Sequence, residues 1–264
     1  MVNTKATQGT PKKVLPIIYI LDCSGSMEGA RIAAVNSAMT ETVEVLKEVA
    51  ANNPNVELKI GVLKFASGAD WITSNGLVYM EDYFWTDIQA GGLTDFGSAL
   101  DELDKKLSRN EFLGDPEGYK KPVLIFMSDG EPTDDYLRAL QRIKDKNKWF
   151  NVSSKIAVGV GEDVNIDVLK DIAGNSEAVI QVTDLETFKK LINVVSVRAS
   201  EIGSKSRLEE DGQAELSYEL EKTFGNDIMI HKNSNDEPSD FIIDGFVDED
   251  GLSDDLFEEV IWQN

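Results

Sequence analysis

The chain opens its pattern with a run of eight largely apolar, β-branched-rich residues, Val14–Leu21 (VLPIIYIL), which stops at a polar, glycine-containing turn. A continuous apolar run of this length reads as a strand buried on both faces, as strands of a parallel sheet are. From about Gly29 to Ala51 the period changes. Ile32, Val35, Met39, Val43, Leu46 and Ala50 recur at spacings of three and four, which predicts an amphipathic helix, ended by Asn53-Pro54. Leu58–Phe65 (LKIGVLKF) predicts a second strand and Leu77–Tyr79 a weaker one. Gly91-Gly92 opens a loop before a helix over about Asp95–Leu107, with Phe96, Leu100, Leu103 and Leu107 as its buried stripe. Pro122–Met127 (PVLIFM) is the next buried strand, and Tyr136, Leu140 and Ile143 share one face of the helix that follows. Ile156–Val160, a short helix over Ile166–Ile172, a strand Ala178–Val182 and a helix Leu185–Val197 complete the series.

Strands that alternate with helices need long right-handed crossovers, and these place helices on both faces of a mainly parallel sheet. The expected fold is therefore a doubly wound, Rossmann-like α/β domain over residues 14–200. Residues 1–13 are expected to form a flexible arm, polar and without the apolar core of a secretory signal. Residues 201–264 form an acidic C-terminal extension holding 19 acidic and 4 basic side chains. Within it, Glu215–Phe224 has helical spacing, Asp227–His231 reads as a short strand, and the last residues (DDLFEEVIWQN) mix acids with large apolar groups, as docking segments do. An Asp or Glu within residues 236–259 is a candidate internal competitor for an acidic ligand of the domain, the alternative being that like charge keeps the extension away from a domain that is itself acidic.

The formal net charge of -22 repels a phosphate backbone, so a nucleic-acid partner is not expected. Cys23 is the only cysteine, which leaves neither a disulfide framework nor a thiolate cluster for zinc and favours a reducing, cytoplasmic setting. The longest apolar run falls far short of the roughly 20 residues that cross a bilayer as a helix, so no membrane partner is expected.

In open parallel sheets, ligands bind at the carboxyl ends of the strands, where the strand order reverses. The first strand ends in Asp22-Cys23-Ser24-Gly25-Ser26. In an extended or gently turning loop, spacing by two turns the Asp22 carboxylate and the Ser24 and Ser26 hydroxyls to one side. The fourth predicted strand ends in Ser128-Asp129-Gly130, and Thr94 follows Gly91-Gly92 just before a helix. All five candidates, Asp22, Ser24, Ser26, Thr94 and Asp129, offer hard oxygens, which suit Mg²⁺, Mn²⁺ or Ca²⁺. Two carboxylates and three neutral hydroxyls leave such an ion short of anionic ligands and open to an outside carboxylate. Each element also has a plainer reading, since Asp, Ser and Gly form turns after strands and Thr94 or Thr133-Asp134 can cap helices.

Taken in order, DxSxS after a first buried strand, a distant Thr, and a later Asp-Gly after another strand resemble the metal-ion-dependent adhesion site (MIDAS) of von Willebrand factor A domains. The contexts DCSGSMEGARI, GGLTDFGSAL and FMSDGEPTD extend the likeness over residues 14–200, and within that family it is most similar to the bacterial TerY-like proteins of tellurium resistance and stress response. The resemblance implies that Asp22, Ser24, Ser26, Thr94 and Asp129 bind a divalent cation. It also implies that the cation grips an Asp or Glu of a protein partner, without catalysis. A rival enzyme reading is a haloacid-dehalogenase-like, Mg²⁺-dependent phosphatase, whose DxDx[TV] motif would need an acid where Ser24 stands. A third reading is a scaffold that works mainly through its acidic tail. The single histidine, His231, lies in the tail and leaves no ordinary Ser/His/Asp triad, and the phosphate-binding GxxxxGK[ST] loop is missing.

Overall fold

The computed structural model describes residues 12–115, 118–174, 179–204, 218, 220 and 222–230. Among these, eight strands form one sheet: β1 (Lys13–Asp22), β2 (Val56–Ala66), β3 (Gly68–Trp71), β4 (Val78–Tyr79), β5 (Val123–Ser128), β6 (Ser154–Val160), β7 (Val179–Val182) and β8 (Ile228–Ile230). The order is β3-β2-β1-β5-β6-β7-β8, with β4 also paired to β2. From β2 through β7 neighbouring strands run parallel, while β3 and β4 join β2, and β8 joins β7, antiparallel.

β1 shows why the sheet needs cover on both sides. Leu15, Ile17, Tyr19 and Leu21 enter one core, with Ala34, Val35, Met39 and Leu46 of helix α1 (Ala30–Asn52) and Phe188, Leu191 and Val195 of α6 (Leu185–Ser204). Val14, Ile18 and Ile20 point the other way, towards helices α2 (Phe96–Lys106), α3 (Tyr136–Lys146), α4 (Lys148–Val152) and α5 (Ile166–Ala173). Side chains alternate across a strand, so a central strand with helices on both faces must be apolar throughout, as Val14–Leu21 is. The expected doubly wound α/β fold is the one found, mainly parallel with antiparallel edges.

The strand expected at Asp227–His231 is present at Ile228–Ile230, so the sheet draws on chain beyond Ser200. Leu220, Phe224 and Ile228 are buried in the α1/α6 core. The apolar and acidic end around Leu256–Ile261 lies outside the described residues. Among the described residues no helix is long and apolar enough to cross a membrane.

The strand order reverses between β1 and β5. β1 connects through α1 to β2 on one side, and β5 continues to β6 on the other. The carboxyl ends of β1 and β5, bearing Asp22 and Ser128-Asp129, therefore stand side by side at the crevice where such sheets take ligands.

Candidate metal centre

Asp22 is the last residue of β1 and is fully buried. Its Oδ1 accepts the backbone N–H of Ser24 at 2.8 Å, which bends the chain out of the strand, and its Oδ2 accepts the hydroxyl of Ser128 at 2.5 Å across the β1–β5 pair. The Ser24 hydroxyl lies 3.0 Å from that of Ser26, so the spacing by two does bring these oxygens together. Ser24 is buried and Ser26 exposed, in a short 3₁₀ turn over Gly25–Met27 that Met27 anchors in the core.

Thr94 reaches the site on a separate loop, stitched to the first by backbone. Gly91 donates its N–H to the Cys23 carbonyl at 2.8 Å, and Gly25 donates its own to the Gly92 carbonyl at 3.0 Å. Gly92 has φ +90°, and a Cβ there would stand 2.7 Å from Ser67 Oγ, so this loop requires glycine. Thr133 fixes the far side of Thr94, accepting its N–H on Oγ1 and donating its own N–H to the Thr94 carbonyl, each at 2.9 Å. Asp134 does cap a helix, but not the one that follows it. Its carboxylate accepts the N–H groups of Gly97 and Ser98 in the first turn of α2. Thr94 is itself buried, and its hydroxyl has no hydrogen bond to any described residue.

Asp129 follows β5 directly and is almost fully buried. Its Oδ2 accepts from Arg31 Nη1 at 3.2 Å, while its Oδ1 is buried with no hydrogen-bond partner. Leaving a buried acceptor unsatisfied costs about 1–3 kcal/mol, more when it is charged. Burial holds the Asp22 carboxyl above its ordinary range, hydrogen bonds from Ser128 and Ser24 pull it back, and the Asp129 charge pushes it further up. Two adjacent carboxylates, one with an unanswered oxygen, fit a cation. Among the described residues no three His, Cys, Asp or Glu side chains group closely enough to hold a metal, so a cation here must also draw on hydroxyl oxygens. The Cys23 thiol beside them is pushed up to about 12, by burial first and the Asp22 charge second, and stays neutral.

Ser128 and Arg31 were not among the residues expected at this site. Ser128 was legible as the polar residue closing β5, whereas Arg31, in the first turn of α1, carries no sequence signal that distinguishes it from a solvated helix charge. Around the site, Leu93 next to Thr94 is 55% exposed. A cavity of about 320 Å³, lined by Cys23, Lys64, Ser67, Asp70 and Gly91, opens beside the Asp22–Ser26 loop.

The von Willebrand factor type A domain profile matches residues 17–194. Among solved structures, the chain is similar to a von Willebrand factor type A protein from Catenulispora acidiphila, with 20% identity and a TM-score of 0.53 over 71% of this chain and 43% of that one. It is also similar to the pilus adhesin SpaC from Lactobacillus rhamnosus GG in its open conformation (15%, 0.53, over 70% and 30%). A third is proximal thread matrix protein 1 of the mussel byssus with a zinc-occupied MIDAS motif (18%, 0.50, over 71% and 46%). The chain spans less than half the length of each of these structures, and at such identities the likeness is one of fold. No curated protein matches the sequence. Since the profile takes in more than half of the chain, from the middle of β1 into α6, this protein belongs to the von Willebrand factor type A domain family.

Proposed function

We propose that this domain is a metal-dependent protein-interaction module. In this reading Asp22, Ser24, Ser26, Thr94 and Asp129 hold a divalent cation, Mg²⁺ or else Mn²⁺ or Ca²⁺, and the site takes an Asp or Glu side chain from a partner protein. The observation that carries the reading is Asp129 Oδ1, a buried carboxylate oxygen without a partner, beside a second buried carboxylate and a pair of serine hydroxyls. A divalent cation bound there supplies the missing counter-charge and, with few anionic ligands, an acceptor for an outside carboxylate. Asp22 and Asp129 provide the charge, Ser24, Ser26 and Thr94 neutral oxygens, and Ser128 holds Asp22 in place.

The zinc-occupied MIDAS motif of the mussel protein supports cation binding at such a site, and the adhesin and matrix proteins among the similar structures support a binding role. Leu93 gives a partner an apolar contact next to the metal position. A phosphatase of the haloacid-dehalogenase kind is disfavoured because Ser24, hydrogen-bonded to Ser26, stands where that chemistry needs an acid. The likeness of the three sequence contexts to TerY-like proteins supports a place in a bacterial stress-response, tellurium-resistance or phage-defence system, in the cytoplasm.

Calorimetric titration of the full chain tests this reading. Wild type is expected to bind one Mg²⁺ or Mn²⁺. Asp22→Ala and Ser24→Ala should each weaken binding by about 10–100-fold with an unchanged far-UV circular dichroism spectrum. A wild-type protein that takes up neither ion at millimolar concentration would overturn it.

A further inference from the structure

Arg31 is the residue at the centre that the family reading leaves without a task. Its Nη1 donates to Asp129 Oδ2 at 3.2 Å and to the Ser26 carbonyl at 3.1 Å, joining the loop after β1 to the end of β5. Its guanidinium lies against Gly161, just past β6, where φ is +112° and an added Cβ would stand 2.8–3.1 Å from Nη2, Nε and Cζ. Gly161 is held in turn, its N–H on the Val182 carbonyl at 2.9 Å and its carbonyl accepting Gln181 Nε2 at 3.2 Å. Three loops at the carboxyl edge of the sheet thus converge on one cation, in a slot that a side chain at position 161 would fill. The Arg31 side chain is 26% exposed, so it is reachable from solvent without being free to leave.

A divalent cation matches the two carboxyl side chains of the cluster, Asp22 and Asp129. Arg31 adds a positive charge in direct contact with Asp129. It also divides Asp129 between two roles, engaging Oδ2 and leaving Oδ1 aimed elsewhere. We infer that Arg31 is a specificity-determining residue: by sharing Asp129 it weakens the hold on the metal and adds positive charge beside the bound ion, so that the site selects a carboxylate over a neutral ligand. This rests on the metal-binding reading above. The effects on metal and on ligand are opposite in sign, because the same positive charge repels the cation and attracts the anion. A purely structural strut would lower both affinities when removed.

The test uses the full chain with Mn²⁺ and acetate as probes. Mn²⁺ affinity is measured by calorimetry, and acetate binding to the Mn²⁺-saturated protein by the fall in water-proton relaxation as bound water is displaced. Arg31→Gln should bind Mn²⁺ more tightly and acetate more weakly, each on the order of tenfold, within the usual range for coupled sites. Arg31→Lys keeps the charge and should recover most of the acetate affinity. If both affinities fall together in Arg31→Gln, or neither moves, Arg31 does not set selectivity and the inference is overturned, while the metal site stands. If wild type binds no Mn²⁺, the reading of the site falls and this inference with it.

Discussion

The two ends of the sheet treat buried charge in opposite ways. At the amino end the buried and half-buried charges have answers. Lys59 Nζ meets Asp115 Oδ2 at 2.9 Å, and the Tyr119 hydroxyl donates to the Phe112 carbonyl and accepts the Asp115 N–H. Lys155 donates to the carbonyls of Phe150 and Ser153, closing the end of α4. At the carboxyl end two carboxylates are buried together and one oxygen is left unanswered. A folded chain satisfies its buried polar groups almost everywhere; among the described residues the indole N–H groups of Trp71 and Trp85 and the Tyr83 hydroxyl are buried without a partner too, but Asp129 Oδ1 is the one carboxylate oxygen so left, and it stands where the strand order reverses. Polar groups at one end serve the fold, and those at the other are held ready at a cost to it.

The sharpest way to break this contrast is Asp129→Asn. If the carboxyl end serves binding, the amide should lower metal affinity by about a hundredfold, near the upper end for damaged metal sites. Stability without metal should hold or rise, because the substitution removes a charge adjacent to Asp22. Calorimetry and chemical denaturation in a chelator check the two halves separately. A variant that loses several kcal/mol of stability would place Asp129 among the structural groups and erase the difference between the ends.

Much of this arrangement is legible in the sequence, and the parts that are not share a cause. β1, β2, β5 and β6 announce themselves because both faces are buried, so no polar residue interrupts the run. The DxSxS turn and Ser128-Asp129 are legible because they close such runs. β3 (Gly68–Trp71) was missed because an edge strand opening on Gly-Ala-Asp has no apolar run, and α4 because five residues are too few to show a period. The reach of the sheet to β8 depends on pairing between segments 45 or more residues apart, which composition after Ser200 conceals. A cut made to probe the acidic tail therefore belongs after Ile230, since one at Ser200 would strip Leu220, Phe224 and Ile228 from the core. Asp134 has a local reading as a helix cap and Arg31 has no sequence signal of its own, because both act on residues 36–98 positions away.

At the amino end, Lys155 gives the converse test. Burial, with a smaller push from Lys144, lowers its ammonium to about 8 from an ordinary 10.5. Below that pH both folded and unfolded chains carry the proton, and the fold bears the full cost of the buried charge. Between about 8 and 10.5 the folded chain has lost the proton while the unfolded chain keeps it, so stability rises with pH. Measured as the difference between wild type and Lys155→Met, the gain should be roughly 2–3 kcal/mol across this window, with metal affinity at pH 7 unmoved. A flat difference would mean that the carbonyls of Phe150 and Ser153 fully offset the burial.

The smallest effect expected is that of removing the metal, and it bears on the contrast most directly. Both cores close without the site: the side chains of Val14–Leu21 are buried between α1 and α6 on one face and α2 to α5 on the other. Metal then stabilises only by linkage, about 1.4 kcal/mol at ten times its dissociation constant. For a domain of this size that is a fall of about 3–6 °C in melting temperature on chelation, reversed by added Mg²⁺. Far-UV circular dichroism should not change, and Asp22→Ala, which binds the ion about 10–100-fold more weakly, should show less than about a third of the shift at the same metal concentration. The size of the shift should follow metal concentration logarithmically, because it measures occupancy and not architecture. Loss of the far-UV spectrum in chelator would make the ion part of the fold, and the carboxyl end would then differ from the amino end only in the kind of cation that satisfies it.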